Sequence, residues 1–242
     1  MRFHEISSGM GLKLHLKRRV RLTVLNLGRR LTATQQQRIN TLHGFLELGA
    51  WTNTFMDRDH PPIDHRSREE LFAVALSRVA GTSPLYLEFG VFEGESLRWW
   101  SKNLRIPGAR FVAFDSFQGL PEDWNAGLGK GAFAVNNIPE VKDPRVTFEV
   151  GWFDKTVPAF EVPDHDSLIV NIDSDLYSSA ILVLDRMEPY LKPGSLIYFD
   201  ELNDRDHELR AVKEFLSRTG KKLRALGTAQ GASNWLFEVD EY

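Results

Sequence analysis

Four carboxylates stand in two short stretches, each closing an apolar run: Ile172-Asp173-Ser174-Asp175-Leu176-Tyr177 and Tyr198-Phe199-Asp200-Glu201. Like charges crowded in this way repel unless a cation neutralises them or their pKa values rise. An oxygen-only ligand set suits Mg2+, Ca2+ or Mn2+. Such an ion can hold two substrate oxygens and acidify an attacking hydroxyl. Asp175, tuned by burial or a like-charged neighbour, can accept that hydroxyl's proton. The plainer alternative makes Asp175 a helix N-cap, and Asp200 and Glu201 loop acids. His207 and Glu208 follow closely. His207 is a second candidate base, because imidazole titrates near neutrality, although a helix start is its simpler place.

Two further features belong with these acids. In Glu88-Phe89-Gly90-Val91-Phe92-Glu93-Gly94-Glu95-Ser96, glycines four apart let the backbone approach a ligand closely. A helix opening there offers its N–H groups to an anion. The triple-glycine dinucleotide fingerprint is missing, which counts against NAD and FAD. In Phe114-Asp115-Ser116 the acid is placed to accept hydrogen bonds from both hydroxyls of a ribose, or else to cap the next helix. Turn and acid together favour a nucleotide-like ligand.

The elements that must position these residues alternate. Short apolar runs at 85–89, 110–114, 146–150, 167–172 and 196–199 read as strands, with helices at 95–103, 177–191 and 207–218. Segments 222–226 and 235–239 read as a closing antiparallel pair. Strands alternating with helices predict a doubly wound α/β domain on a parallel sheet. Right-handed crossovers bring the strands' carboxyl ends to one rim, where ligands bind. Upstream, 1–31 reads as a basic amphipathic helix or arm, and 32–55 carries apolar residues at helical spacing. Pro61-Pro62 stops that element. Ser67-Arg68-Glu69-Glu70 has capping-box spacing and opens a helix that Gly81 can close. Residues 1–82 are thus expected to form a basic arm with a helical lid or dimer region, and 83–242 the ligand-binding domain. His60, His65, Arg66 and Arg68 are placed to border the pocket, a surface role being the simpler expectation for each. Trp99, Trp100 and Trp235 read as core.

The chain has 242 residues, 42% hydrophobic and 26% charged, and no cysteine. Disulfides, thiolate metal sites and thiol nucleophiles are excluded, and a reducing, cytoplasmic setting is expected. The net charge of −3 hides an asymmetry: residues 1–40 carry nine basic residues against one acid, +8, leaving −11 on the rest. The basic arm can touch an anionic membrane surface or an acidic partner, including another copy of the chain, so a homo-oligomer is expected. No nucleic-acid partner is expected, and no apolar stretch is long enough to span a bilayer.

The chain resembles the TylF/MycF-type (macrocin O-methyltransferase-like) class I S-adenosylmethionine-dependent methyltransferases, which methylate sugar hydroxyls on natural products. The resemblance rests on Glu88-Phe-Gly-Val-Phe-Glu-Gly94, Phe114-Asp-Ser-Phe-Gln-Gly-Leu-Pro121, Gly151-Trp-Phe-Asp-Lys-Thr-Val-Pro158, Ile172-Asp-Ser-Asp-Leu-Tyr177 and Tyr198-Phe-Asp-Glu201, in order over residues 84–205. It implies a Rossmann-like seven-strand sheet, last strand antiparallel, with an N-terminal helical extension. It implies S-adenosylmethionine over Glu88, Gly90, Glu93, Gly94 and Ser96, its ribose on Asp115. Ser116 and Phe117 would line the adenosine site, with Trp152, Phe153 and Asp154 near the adenine. It further implies Mg2+ on Asp173, Asp200 and Glu201, Asp175 as general base, and a small-molecule or glycan hydroxyl as acceptor. Where the family ends its fifth strand in two aspartates, this chain has Asp200-Glu201. The alternatives are a metal-independent O- or N-methyltransferase, a non-catalytic S-adenosylmethionine-binding protein and, more distantly, a nicotinamide-dependent reductase.

Overall fold

The computed structural model describes residues 3–56, 61–125, 127–135 and 137–241, with side chains from residue 16 onward. His60 falls outside them. In chain order the elements are α1 (Phe3–Gly28), α2 (Ala33–Thr52), β1 (Asp64–His65), α3 (Arg68–Leu76), β2 (Leu85–Phe89), α4 (Glu95–Asn103), β3 (Arg110–Asp115), β4 (Val146–Val150), α5 (Phe153–Ala159), β5 (Leu168–Ile172), α6 (Tyr177–Met187), β6 (Leu196–Phe199), α7 (Glu208–Thr219), β7 (Leu223–Ala229) and β8 (Asn234–Val239). Two compact units divide between Leu42 and His43. The first holds α1, whose Leu16, Val20, Val24 and Leu27 are exposed. No helix among the described residues is long and apolar enough to cross a membrane.

The second unit is built on one sheet of order β1-β7-β8-β6-β5-β2-β3-β4. Strands β2 to β6 pair in parallel, while β8 runs antiparallel to β6 and β7. This is the predicted doubly wound sheet with an antiparallel last strand, carrying eight strands rather than seven. The extra one, β1, pairs in parallel with β7. Just after Pro61-Pro62, Thr228 N–H bonds back to Ile63 O at 2.9 Å. Helix α3 ends at Leu76, short of Gly81, and α5 is a seven-residue helix absent from the sequence pattern.

Strand alternation sorts the core onto two faces. Leu85, Leu87 and Phe89 of β2, with Val170 and Ile172 of β5, pack against Val183, Leu184, Val212 and Phe215 of α6 and α7. Tyr86, Phe111, Ile169 and Tyr198 pack on the opposite face against Leu71, Phe72, Leu97 and Trp100 of α3 and α4. The central strands β2, β5 and β6 are buried along their whole length. Their ends therefore leave the core together at one rim.

Two local devices aim the segments above that rim. Ser67 caps α3 by accepting from Glu70 N–H, while the Glu70 carboxylate accepts from Arg66 N–H at 3.0 Å. This is a capping box displaced by one residue, and it fixes Arg68 as the first helical residue. Helix α2 clamps the loop after β6. Its Glu47 pairs with Lys213 at 2.6 Å and Arg205 at 3.1 Å, and its Gly44 lies so close that a Cβ would stand 1.9 Å from the Asn203 carbonyl oxygen.

Alanine favours a helix over glycine by about 1 kcal/mol. Gly49→Ala, on an open stretch of the same helix with nothing within 4 Å of the added Cβ, should therefore raise the free energy of unfolding by roughly that amount. Gly44→Ala should lower it despite the same propensity gain. Urea unfolding of the two variants checks the contrast.

Candidate active site

The four strand tips surround one cavity of about 690 Å³. Gly90 after β2, Asp115 at the end of β3, Asp173 after β5 and Asp200 after β6 all line it, with Ser116, Trp152, Phe153, Asp154, Asp175 and Glu201. Gly90 holds φ +94°, and a Cβ there would fall 1.7 Å from the Asp173 carbonyl oxygen. Only a glycine lets the turn after β2 lie on the end of β5.

Asp115 organises that turn. One carboxylate oxygen accepts from Val91 N–H (2.8 Å) and Phe92 N–H (3.0 Å), the other from Phe117 N–H (2.7 Å). Asp115 caps no helix, since β4 is the next element after β3, and its carboxylate borders the cavity. Glu88, Glu93, Gly94, Ser96 and Phe117 do not line it. Ser96 and Phe117 are buried, Glu93 is exposed, and Gly94 is the left-handed N-cap of α4.

Glu88 lies beneath the floor, 1% exposed. It accepts from the Tyr86 hydroxyl at 2.7 Å, and that hydroxyl accepts from Asn171 Nδ2 at 3.0 Å. Burial pushes its carboxyl up to about 8, against the lowering effect of Tyr86. It is a structural acid, largely protonated at neutral pH.

The acids at the rim share this bias. Burial, reinforced by Asp200 and then Asp204, raises Asp175 to about 7. Burial, with Asp175 and Asp200, raises Glu201 to about 7. Asp173 and Asp200 are raised chiefly by burial. Glu208, fully buried, is raised by burial and Asp200, and it accepts from Glu201 N–H at 3.1 Å. His207 stands apart from the cavity lining. Its Nδ1 accepts from Tyr177 N–H at 3.1 Å, tying the start of α7 to that of α6.

The expected metal trio does not assemble. Asp200 Oδ1 already accepts from the Tyr198 hydroxyl (2.8 Å) and Asn234 Nδ2 (2.9 Å). Arg68 Nη1 stands 4.0 Å from that oxygen and 3.9 Å from Asp173 Oδ2. Mg2+ demands near-octahedral oxygens at roughly 2.1 Å, whereas here one guanidinium nitrogen lies within 4.0 Å of an oxygen of each aspartate. Among the described residues no three His, Asp or Glu side chains come together in a metal-holding arrangement. Asp173, Asp200 and Glu201 as placed do not fit the ion.

Residues 87–202 match the model of a methyltransferase domain. The match identifies a methyltransferase domain over that stretch. Solved structures with the same fold include the O-methyltransferase NovP, at 19% identity over 72% of this chain and 80% of that one, TM-score 0.55. Calicheamicin methyltransferase CalS11 matches at 24% identity over 86% of this chain and 94% of that one, TM-score 0.57. An apo structure of CalS11, described as a TDP-rhamnose 3'-O-methyltransferase, matches at 22% identity over 86% and 96%, TM-score 0.50. A search of the curated proteins finds no match.

Arg68, one of the residues expected at the pocket's border, lines the cavity from α3, and Glu122, Trp124, Lys130 and Phe133, which no motif singled out, line it from the segment between β3 and β4. That segment is tied down where the Ser178 hydroxyl donates to Glu122 (2.6 Å) and Trp124 Nε1 donates to Asp204 (2.9 Å). The long gap between the predicted strands was its signal, because structureless loops of that length are uncommon unless functional.

Asp175 has a folded pKa above the ordinary carboxylate value, so the unfolded chain binds fewer protons between about pH 4 and pH 7. Its contribution to stability is full below pH 4 and is lost as pH rises through 7. Asp175→Asn, tolerated at φ +61°, should match wild type in stability near pH 4. It should exceed wild type at pH 8 by up to about 4 kcal/mol. Thermal melts across that range check the divergence.

Proposed function

We propose that this enzyme is a TylF/MycF-type O-methyltransferase acting on a hydroxyl of a sugar, in a natural product or a surface glycan. The observation that carries the reading is the convergence of the Gly90 turn, Asp115 and Asp175 on one cavity. The cradle at Gly90, which a Cβ would fill, suits a ligand pressed against backbone. When bound there, S-adenosylmethionine supplies an electrophilic methyl group.

The chain's own residues do the remainder. Asp115, with two of its lone pairs committed to the turn on one oxygen and one on the other, retains acceptor capacity for a ribose hydroxyl. Trp152, Phe153 and Asp154 line the same cavity. Asp175, poised near neutrality, accepts the proton of the acceptor hydroxyl. Phe92, Phe133 and Trp124, the Phe133 ring in contact with the other two, give the cavity an apolar wall suited to the face of a sugar ring. Alignment and proton removal suffice, because the methyl donor is already activated. The names of NovP and CalS11 support O-methylation and, for CalS11, a sugar acceptor. Metal assistance is not carried into this mechanism, since the acids as placed do not fit the ion. The cysteine-free composition supports a cytoplasmic setting.

The test is twofold. Calorimetry should show binding of S-adenosylhomocysteine. Methyl transfer to nucleoside diphosphate sugars should fall about 10²–10⁴-fold in Asp175→Asn with cofactor affinity retained. Absence of cofactor binding, or full turnover in the variant, contradicts the reading.

A further inference from the structure

Asp173 and Asp200 both line the cavity, and one cation stands within 4.0 Å of each. That cation is Arg68. As the first residue of α3, it rides on a helix anchored by Leu71, Phe72 and Ala75, all buried. Phe72 packs on Tyr198 at 5.0 Å between ring centroids and on Trp100 at 5.7 Å. The ring of Tyr198 is thereby fixed against α3, while its hydroxyl holds Asp200. One face of the guanidinium fork donates to Glu95 at 3.0 Å, and Nη1 stands within 4 Å of an oxygen from each aspartate. The side chain is 24% exposed.

We propose that Arg68 is the resident cation of this active site, its guanidinium standing between Asp173 and Asp200 where a divalent ion would otherwise be held, so that catalysis runs without metal. Arginine stays charged under any condition the enzyme meets. Burial, the largest single effect, would lower its pKa, but Asp200, Asp173, Tyr198 and Glu95 together raise it. A guanidinium also imposes no octahedral geometry, so the site tolerates Glu201 where a strict metal shell is least forgiving. Arg68 acts here as a positioning residue. It keeps the two aspartates in place beside Asp175 and touches no reacting atom.

The catalytic part of this inference rests on the methyl-transfer reading, but its metal-binding part does not. The full chain, wild type and Arg68→Gln, is titrated with Mn2+ and the free-ion electron paramagnetic resonance signal is followed. Wild type should leave the signal at full amplitude, and Arg68→Gln should deplete it by opening an oxygen site. Binding by wild type, or by neither protein, overturns the proposal whatever the acceptor proves to be. In the activity arm, wild-type methyl transfer should be unchanged by EDTA. Arg68→Gln in EDTA should lose about 10²-fold or more and regain part on adding Mn2+. Wild-type turnover abolished by EDTA, or retained in full by Arg68→Gln, also overturns it. If Arg68→Gln does not fold, Arg68→Lys, which keeps the charge, takes its place: it should bind Mn2+ no better than wild type and remain EDTA-insensitive. The wild-type titration stands without either variant.

Discussion

Carboxylates gathered at the tips of parallel strands meet a floor of buried side chains, and their mutual repulsion governs how the site is built. Asp173, Asp175, Asp200, Glu201 and Glu208 are each pushed toward the protonated form, with burial the leading cause in every case. Such a cluster is stable only if protons and fixed donors offset the charge. The structure uses both. Tyr198, Asn234 and Arg68 converge on Asp200, and backbone N–H of Glu201 reaches Glu208. What is left is an acid facing the cavity with an affinity for protons near neutrality, which is what abstraction of a hydroxyl proton requires.

The fold serves that arrangement through close approaches. Gly90 lets the turn after β2 rest on the β5 end, so that the turn lies directly against Asp173 and Ser174. On the opposite side, Gly44 and Glu47 of α2 hold the loop after β6, which carries Asp200 and Glu201. The turn and the loop that carry the acids are thus held by close backbone approaches at Gly90 and Gly44 and by the Glu47 ion pairs.

Much of this was legible in the residues. The apolar runs ending in Phe89, Ile172 and Phe199 located the central strands, and the acids after them located the rim, because alternating strands and helices leave the carboxyl ends together. Glu88 was legible only in part. As a strand-end acid it looked reachable, but it shares parity with Tyr86, on the face that α3 and α4 cover. Strand β1 is two residues long and α5 carries Pro158 in its last turn, so neither offered a periodic signal. The capping box placed Arg68 at a helix start, yet what that side chain faces depends on how α3 packs on Tyr198 and Trp100. No local pattern encodes such a contact.

The central claim is spatial, and crystallography of the full chain with S-adenosylhomocysteine reads it directly. The account predicts the ribose hydroxyls on the Asp115 carboxylate, the sulfur pointing into the space beside Asp175, and the amino-acid tail along the Gly90 turn. A ligand seated elsewhere, or with its ribose turned away from Asp115, would contradict it.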